Sequence, residues 1–586
     1  MYRCIRIALR SFCAFAATLA LAQTVTFTPD LLTNDSFLFN SVAPADFNND
    51  GREDLITACG SGNGNGQFAV NLSTGDGVYA PQVCYSLPAG QPYSIAVGDV
   101  NSDGNLDLIV ANGTNTFYEY LNNGKGSFRL QASFQTTAPI YSIVAADANH
   151  DGKIDLIWTG INDQKLFVYF GNGDNGFTVG PTPTLNIQGR LAIGDFDGDG
   201  KVDIVSQATQ YGTSIQVAYG DGQGHFQATA SFGTNIAYEV FDLNGDGKSD
   251  LIGIPFDFSV NGNTYYKNVH VLRGNANRTF TAQDIPFSQC NAGNANPVSA
   301  DFNGDGINDL AVVEGSDCNG DGPYTIDVLL GKGDGTYQAD QSVYSTTAAE
   351  AIGSQLHVMR VNRDSKPDLV FFGVTNNGSS GNTVLLTNTT PGNFPSCSPP
   401  NRGTGITLCS PTSEVAPTSP VTFAVSGANQ TPGRKVEVWI DGKKASENLK
   451  GWSHYSFLDA KYSIAPGSHT VTVFSAGWDN LLQRLTFPLI VGSNTCPVPH
   501  SPGVNVCSPL NNATVNANVL AWASGTVTGT ITRMEVWVDG VKKFSTFGSN
   551  TLKTNLSLSS GPHRFVFYIV NTAGLKWKTT VTATVK

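Results

Sequence analysis

The chain has 586 residues, of which 63 are glycine, 3 are methionine and 14% are charged. This length allows two to four domains, and short Val/Ile/Leu/Phe/Tyr runs between Asn, Asp, Gly and Ser predict an all-β protein of many short strands rather than helices. The formal net charge is −13 and no basic stripe is visible along the sequence, which argues against nucleic acid as a partner because such a surface repels phosphate backbones.

The first 22 residues have the pattern of a secretory signal peptide. Arg3, Arg6 and Arg10 precede the apolar run FCAFAATLALA, and we expect cleavage near Ala22. The run is too short to span a bilayer. We therefore expect a secreted or cell-surface protein without membrane insertion, and the sequence leaves its oligomeric state open.

Eight cysteines follow this segment, and they lie in close pairs along the chain. An even number at local spacings in an exported chain predicts disulfides, although sequence alone does not fix their connectivity. Pairing by proximity gives Cys59–Cys84, Cys290–Cys318, Cys397–Cys409 and Cys496–Cys507. A zinc site is disfavoured because the sequence has no C-x-x-C pair.

A nine-residue pattern, Asp-x-(Asp/Asn)-x-Asp-Gly-x-x-Asp, occurs six times, and strand-like runs flank every copy. The copies start 53, 48, 48, 47 and 59 residues apart, at Asp46, Asp99, Asp147, Asp195, Asp242 and Asp301. That spacing matches one four-stranded propeller blade. A degenerate seventh copy, RVNRDSKPD, has Arg360 in the first position and Ser365 in the glycine position.

Seven such units predict a seven-bladed β-propeller over residues 23–395, a closed ring that removes exposed sheet edges. The seventh unit lacks a fourth strand after Phe394, where the chain turns into PSCSPPNRG. Residues 24–32 precede the first unit and have no other partner. We therefore predict that this N-terminal strand completes the last blade.

The spacing of the oxygen-bearing residues predicts calcium. Side-chain oxygens at positions 1, 3, 5 and 9 and a backbone carbonyl at position 7, with a glycine turn at position 6, form a cage of the size and charge that Ca²⁺ takes. Mg²⁺ needs a stricter octahedron, and nitrogen and sulfur ligands are absent. We predict about six ions, held by Asp46, Asn48, Asp50, Arg52, Asp54; Asp99, Asn101, Asp103, Asn105, Asp107; Asp147, Asn149, Asp151, Lys153, Asp155; Asp195, Asp197, Asp199, Lys201, Asp203; Asp242, Asn244, Asp246, Lys248, Asp250; and Asp301, Asn303, Asp305, Ile307, Asp309.

The alternative is a series of Asx-turns without metal, since Asp and Asn also cap turns. Turns alone do not require several carboxylates that repel one another, which favours the metal. The seventh copy is predicted to bind no metal, with the Arg360 guanidinium paired to Asp364 and Asp368. A further acidic stretch from Asp317 has Thr325 in place of the closing Asp, so we interpret it as a glycine-rich loop tethered by Cys318 to Cys290.

The motif and its flanking strands resemble the FG-GAP/VCBS-type repeats of integrin α-chain propellers and of many secreted bacterial and fungal proteins, including certain propeller lectins. The resemblance covers about residues 23–395. It implies that the calcium loops hold the blades in shape while other loops on a propeller face contact the partner. It identifies no ligand-binding residue in this chain.

A different repeat begins after residue 395. The segment KVEVWIDGKKA recurs as RMEVWVDGVKK, offset by 98 residues. Period-two strands and Asp-Gly hairpin turns predict two β-sandwiches, 396–492 and 493–586, which resemble the Ig-like modules of bacterial surface proteins. We expect Trp439 and Trp537 in the sandwich cores, and Trp452 and Trp478 as candidates for exposed sugar stacking.

The sequence contains no G-x-S-x-G, no H-E-x-x-H and no histidine cluster, so we predict no catalytic residue and no cofactor besides calcium. An active site assembled from distant blades in a central channel would leave no local motif. The sequence favours non-catalytic binding or adhesion to an extracellular glycan or protein. A glycan-active hydrolase or lyase and a structural matrix protein are the alternatives.

Overall fold

The structure is a computed structural model. It describes residues 24–32, 43–59, 66–75, 77–161, 165–181, 185, 187–207, 214–233, 236–244, 246–255, 258–260, 263–291, 297–315, 323–333, 335–346, 350–352, 356–362, 364–375, 381–395, 397–400, 404–411, 415–416, 419–429, 433–448, 451–452, 454–465, 467–477, 482–491, 496, 498–509, 511, 513–515 and 517–585. The proposed signal peptide and the acidic stretch from Asp317 to Gly322 lie outside these residues, as does Trp478.

Within these residues the regular structure is entirely β, which confirms the predicted class. The first four groups of antiparallel strands each form a four-stranded sheet. Their strands are β2 (Ala43–Ala45), β3 (Asp54–Ala58), β4 (Gln67–Asn71) and β7 (Val83–Ser86); β8 (Ser94–Gly98), β9 (Asp107–Ala111), β10 (Thr116–Asn122) and β11 (Phe128–Gln135); β12 (Ile140–Ala146), β13 (Asp155–Gly160), β14 (Leu166–Gly171) and β15 (Phe177–Val179); and β16 (Gln188–Gly194), β17 (Asp203–Gln207), β18 (Ser214–Gly220) and β19 (Phe226–Gly233). A small hairpin, β5 (Ser73–Gly75) and β6 (Val78–Tyr79), follows β4.

Three further groups complete this part of the chain. The fifth and sixth are joined by one pair, Cys290 with Gly315, into a nine-stranded sheet. Their strands are β20 (Ile236–Phe241), β21 (Asp250–Pro255), β22 (Phe258–Val260), β23 (Asn263–Asn275) and β24 (Thr279–Asn291), then β25 (Val298–Ala300), β26 (Asp309–Gly315), β27 (Tyr324–Leu329) and β28 (Gln341–Ser345). The seventh contains β29 (Glu350–Ile352), β30 (His357–Met359), β31 (Asp368–Thr375), β32 (Gly381–Asn388) and β1 (Phe27–Leu32).

The N-terminal strand completes the seventh group, as the sequence predicts. β1 runs antiparallel to β32 from Phe27 opposite Asn388 to Leu32 opposite Thr383. Thr26 extends the contact, because its carbonyl accepts the Thr389 amide at 2.8 Å. Residues more than 350 positions apart in sequence therefore share one sheet.

Apolar clusters fill the space between consecutive groups, because one face of each strand alternates into the neighbouring sheet. For example, Phe47 and Phe68 of the first group pack against Tyr120 and Phe128 of the second. A separate cluster joins the seventh group to the first, with Leu55 against Met359 and Leu385. Each group thus packs against the next, and the last against the first.

Two β-sandwiches follow, each with a core between two sheets. The first contains β33 (Gly405–Ser410), β35 (Val421–Ala428), β39 (Tyr455–Tyr462) and β38 (Gly451–Trp452) opposite β34 (Val415–Ala416), β41 (Leu482–Val491), β40 (Gly467–Gly477), β36 (Gly433–Ile440) and β37 (Lys443–Asn448). The second contains β42 (Gly503–Ser508), β44 (Asn518–Thr526) and β47 (Thr551–Ser557) opposite β43 (Ala513–Val515), β49 (Lys576–Val585), β48 (Gly561–Asn571), β45 (Ile531–Val538) and β46 (Val541–Phe547).

The expectation that Trp439 and Trp537 lie in the sandwich cores is wrong. Val436 and Val438 are buried in the first core, so Trp439, which has the opposite parity, lies on the outer face and is half-buried. Trp537 lies likewise outside Val536 and Val538. Trp452 is in the short strand β38.

Three of the predicted disulfides are present: Cys59–Cys84, Cys397–Cys409 and Cys496–Cys507. The fourth involves Cys318, which is outside the described residues. Disulfides persist in oxidising compartments, so they indicate an extracellular location. We find no helix of membrane-spanning length and hydropathy in the part of the chain that the structure describes.

Candidate metal centres

All six predicted loops occupy the same place in the fold. Each connects the first strand of a group to the second, and the ninth residue of each loop is the first residue of that second strand. These ninth residues are Asp54, Asp107, Asp155, Asp203, Asp250 and Asp309. The repeat in sequence is therefore a repeat in position.

The first aspartate of each loop closes the turn. In the first loop, the Asp46 carboxylate accepts the backbone N–H of Asp50 at 3.0 Å and that of Gly51 at 2.7 Å. The glycine at position 6 has positive φ in every loop, for example 82° at Gly51, which requires a residue without Cβ. This confirms the turn predicted for that glycine.

The ninth aspartate has a role that the sequence did not reveal. It is fully buried in all six loops, and both carboxylate oxygens accept backbone N–H groups. Asp203 accepts from Phe196 in its own loop at 2.8 Å and from Gly220, at the end of the third strand, at 2.9 Å. The seventh copy keeps this arrangement, because Asp368 accepts from Val361 at 2.9 Å and from Asn388 at 2.7 Å. The ninth aspartate therefore braces two strands even where the metal-binding pattern is lost.

The middle positions bend the loop through short local bonds. The side-chain oxygen at position 3 accepts the N–H of position 5, as Asn48 does from Asp50 at 3.0 Å. The side chain of position 7 in four loops pairs with the position 5 carboxylate, and Lys201 Nζ lies 2.7 Å from Asp199 Oδ2. These contacts are also those of Asx-turns, so they do not by themselves decide between metal and turn.

The fourth loop groups its carboxylates most closely. Asp195, Asp197 and Asp203 each place an oxygen within 4.8 Å of the other two. This loop alone has Asp rather than Asn at position 3. Arg278 of the neighbouring β23–β24 turn reaches it, with Nε 2.9 Å from Asp197 Oδ2 and the guanidinium 4.7 Å from the Tyr219 ring centroid.

The electrostatics of the loops fit a hard cation. Burial raises the pKa of aspartates at the first and ninth positions, neighbouring carboxylates contribute in the same direction, and the backbone N–H bonds oppose the shift. The pKa is raised to about 6 for Asp46 and Asp301, to about 7 for Asp155 and Asp250, and to about 8 for Asp107, Asp203 and Asp309. Desolvated oxygens without a nitrogen or sulfur ligand among them are the donor set of calcium.

The seventh loop carries its own cation. Arg360 is fully buried, and its Nε donates to the Asp364 carbonyl at 2.7 Å while its guanidinium donates to the Gly51 carbonyl of the first loop. The predicted pairing with the carboxylates of Asp364 and Asp368 is therefore wrong. Backbone carbonyls take the guanidinium instead, because Asp368 is committed to backbone amides.

A cleft of about 610 Å³ lies where the sixth loop meets the first sandwich. Asp301, Asp305, Phe394, Glu447 and Asp459 are among the residues that line it. The sixth loop is thus the candidate metal site next to an interdomain cleft.

A family model of the FG-GAP-like repeat matches this region in six overlapping segments, 46–110, 101–158, 149–206, 195–253, 242–312 and 301–371, which together span more than half of the chain. The chain belongs to the FG-GAP-like repeat family. Each matched segment begins at or within a candidate loop, so every match includes one of these acidic turns.

Solved structures give weaker likenesses to this FG-GAP-like repeat chain. Fibronectin(III)-like modules of Clostridium thermocellum CbhA are 20% identical over 31% of this chain and 94% of theirs, with a TM-score of 0.14. BBS1N in complex with ARL6DN is 12% identical over 63% and 98%, with a TM-score of 0.40. The exotype rhamnogalacturonan lyase YesX is 13% identical over 64% and 76%, with a TM-score of 0.35. No curated protein matches, and at these scores the fold rests on the sheets of this chain alone.

Proposed function

We propose that this chain is an exported, calcium-stabilised seven-bladed β-propeller with two Ig-like sandwiches, which binds an extracellular glycan or protein without catalysis. The observation that carries the proposal is the repetition of one oxygen donor set at the same strand junction in six groups of strands. A repeated donor set at a fixed position is what a shared structural ion requires.

Three features support the seven-bladed ring over residues 23–395. Seven groups of strands follow one another, apolar clusters join each to the next, and Leu55 of the first group packs against Met359 and Leu385 of the seventh. The pairing of β1 with β32 would close the ring by combining both ends of the repeat region in one blade. Closure of this kind removes free sheet edges.

In each site, the side chains of positions 1, 3, 5 and 9 and the carbonyl of position 7 would hold Ca²⁺. When bound, the ion neutralises carboxylates that burial makes costly to ionise. The aspartates also stabilise the loop directly, because the first aspartate closes the turn and the ninth links the second strand to the third. Extracellular calcium is abundant enough for sites with dissociation constants of about 10⁻⁴ to 10⁻³ M.

The cleft between the sixth loop and the first sandwich is a suitable place for a ligand, since pockets of roughly 300–1,000 Å³ at domain boundaries are where proteins often bind small molecules. Its lining offers carboxylate and amide acceptors for sugar hydroxyls, with Phe394 as an apolar surface. A ligand bound in this cleft would contact both the sixth loop and the first sandwich.

A glycan array with the full-length protein, run with calcium and with EDTA, tests the proposal. We expect binding that requires calcium and releases no product from the matching polysaccharide. Product release would establish a glycan-active enzyme instead, and the absence of any glycan or protein ligand in calcium would favour a structural matrix protein.

A further inference from the structure

The two ends of the chain have opposite charge. Residues 23–395 contain 15 Lys or Arg and 39 Asp or Glu, a net charge of −24, whereas residues 493–586 contain eight and two, a net charge of +6. The overall charge of −13 conceals this difference. A domain whose charge is opposite to that of its own chain is a candidate interaction surface.

The cations of the second sandwich gather on the outer face of one sheet. In β45, Met534 and Val536 are buried in the core, so Arg533 and Trp537 are on the outside. The register carries this face across the sheet, because Arg533 lies opposite Val570, which lies opposite Lys576. We call this surface the basic face, and its cations are Arg533, Lys542, Arg564, Lys576 and Lys578.

Little negative charge offsets these cations. Glu535 is buried within the face and accepts from Arg533 Nε at 2.7 Å and Trp537 Nε1 at 2.9 Å, and Lys542 Nζ lies 3.8 Å from it, so this one carboxylate offsets part of the charge of two cations. Asp539, in the adjoining turn, is engaged by His563 at 2.6 Å. Lys576 and Lys578 are exposed and form no ion pair within residues 517–585, which are all described.

Aromatic rings lie between the cations. The Trp537 ring is held by its bond to Glu535 and packs edge-on against Tyr568, with centroids 6.1 Å apart. Phe547, in the row of Arg533, is 72% exposed. Fixed flat rings among cations suit a polymer that has both anionic groups and apolar ring faces.

The first sandwich provides an internal comparison. It has the same arrangement on its outer face, where Lys435 and Trp439 both donate to Glu437. Its face is less basic, because equivalent positions in the strand register hold Glu447 for Ser545, Thr470 for Arg564 and Leu482 for Lys576. The shared scaffold therefore does not require the extra cations of the second sandwich.

We propose that the basic face binds an anionic polysaccharide, one bearing carboxylate or sulfate groups. The inference rests on the proposed extracellular binding role and adds a ligand class and a second surface to it. Charge complementarity selects an anionic polymer, and the stacked side chains favour sugar rings. The sequence showed no basic stripe because these cations are distributed over four strands and 46 residues, from Arg533 to Lys578.

Binding of the full-length protein in calcium to immobilised polygalacturonate, heparin, neutral dextran and double-stranded DNA tests the inference. The test variant is Arg564→Gln/Lys576→Gln/Lys578→Gln, and the matched control is Lys443→Gln/Lys461→Gln/Arg484→Gln in the first sandwich. We expect retention on polygalacturonate, which has carboxylates only, or on heparin, which has sulfates as well as carboxylates, and none on dextran; retention on heparin alone would indicate sulfate recognition. A cation beside an anionic surface contributes about fivefold to affinity. The test variant should therefore lose at least about tenfold in affinity, while the control loses less than about threefold.

Equal losses in both triple variants, retention on dextran, or tighter binding to DNA than to either polysaccharide would overturn the inference. The thermal midpoint in calcium and in EDTA, measured on the same variants, separates this result from the propeller proposal. The charge variants should leave the calcium shift of the thermal midpoint unchanged. A missing calcium shift therefore refutes the proposed calcium stabilisation, whereas a missing effect of the charge variants on polysaccharide binding refutes this inference.

Discussion

The guanidinium of Arg360 lies over the ring of Tyr455, with Cζ 5.3 Å from the ring centroid. Arg360 belongs to the one repeat whose first aspartate is lost, and Tyr455 belongs to the first sandwich. Tyr455 and Phe457 are part of the same apolar cluster as the sixth and seventh groups of strands. The repeat without a metal pattern is therefore where the sandwich packs on the repeat region.

Replacing Arg360 should loosen this junction. Arg360→Ala leaves the carbonyls of Gly51 and Asp364 without their donor and opens a cavity beside Tyr455, so we expect a loss of about 2–4 kcal/mol in the free energy of unfolding in urea. Arg360→Lys should recover little, because an ammonium lacks the planar fork that reaches both carbonyls. The exposed Arg129→Ala is the control, expected within about 0.5 kcal/mol of wild type. A wild-type-like Arg360→Ala would contradict this role.

The brace formed by the ninth aspartate can be separated from metal binding. Asp368→Asn places an amide N–H₂ against a backbone N–H in a loop without the metal pattern, so it should cost about 1–3 kcal/mol equally in calcium and in EDTA. Asp197→Asn gives the fourth loop the Asn found in the other five, so it should fold, weaken the contact with Arg278 equally in calcium and in EDTA, and reduce the calcium dependence in addition. Urea unfolding in both conditions measures this, and a calcium-dependent effect of Asp368→Asn would count against the brace.

The burial of Glu119 leads us to expect that the protein loses stability at higher pH. It is fully buried, neither carboxyl oxygen has a hydrogen-bond partner among the described residues, and burial raises its pKa to about 7. The folded state thus favours the protonated acid, whose contribution is complete below about pH 4.5 and is lost as pH rises through about 7. Between pH 5 and pH 8, the free energy of unfolding should fall more for the wild type than for Glu119→Gln. Identical slopes would show that Glu119 does not titrate in this range.

We expect His563 to give the second sandwich a similar dependence of stability on pH. Its Nδ1 contacts Asp539 Oδ2 at 2.6 Å and its Nε2 contacts the Ser559 carbonyl at 2.8 Å, so both ring nitrogens donate only when the ring is protonated. The hydrogen bond to Asp539 raises the pKa of His563 above its usual value. Its contribution is complete below about pH 6.5 and is lost as pH rises through the raised pKa. An NMR titration of the ring should show that pKa, and Asp539→Asn should lower it; an unchanged pKa in the variant would refute the pairing.

The sequence predicted what local spacing determines. The loop positions, the glycine turn and the completion of the last group by β1 follow from the nine-residue pattern and from the count of strands. The outward position of Trp439 was also available, because Glu437 shares its parity while Val436 and Val438 do not. The error came from taking alternation with Val as evidence of burial.

The remaining features depend on contacts between distant residues. The brace joins Asp203 to the backbone N–H of Gly220, and the same holds in the other repeats, but no spacing rule marks the donor residue. The contact of Arg360 with Gly51 spans 309 residues. The basic face assembles from four strands whose neighbours in sequence point into the core. Such sites appear only once the register of the strands is known.

The most direct test of the account is a calcium count combined with a thermal scan of the full-length protein. We expect about six ions per chain after dialysis against about 5 mM calcium and gel filtration in the same buffer. With dissociation constants of about 10⁻⁴ to 10⁻³ M, each site should contribute about 1–2 kcal/mol at this concentration, so EDTA should lower the thermal midpoint markedly. A protein that binds no calcium and melts at the same temperature in EDTA would contradict the account and leave the six loops as Asx-turns.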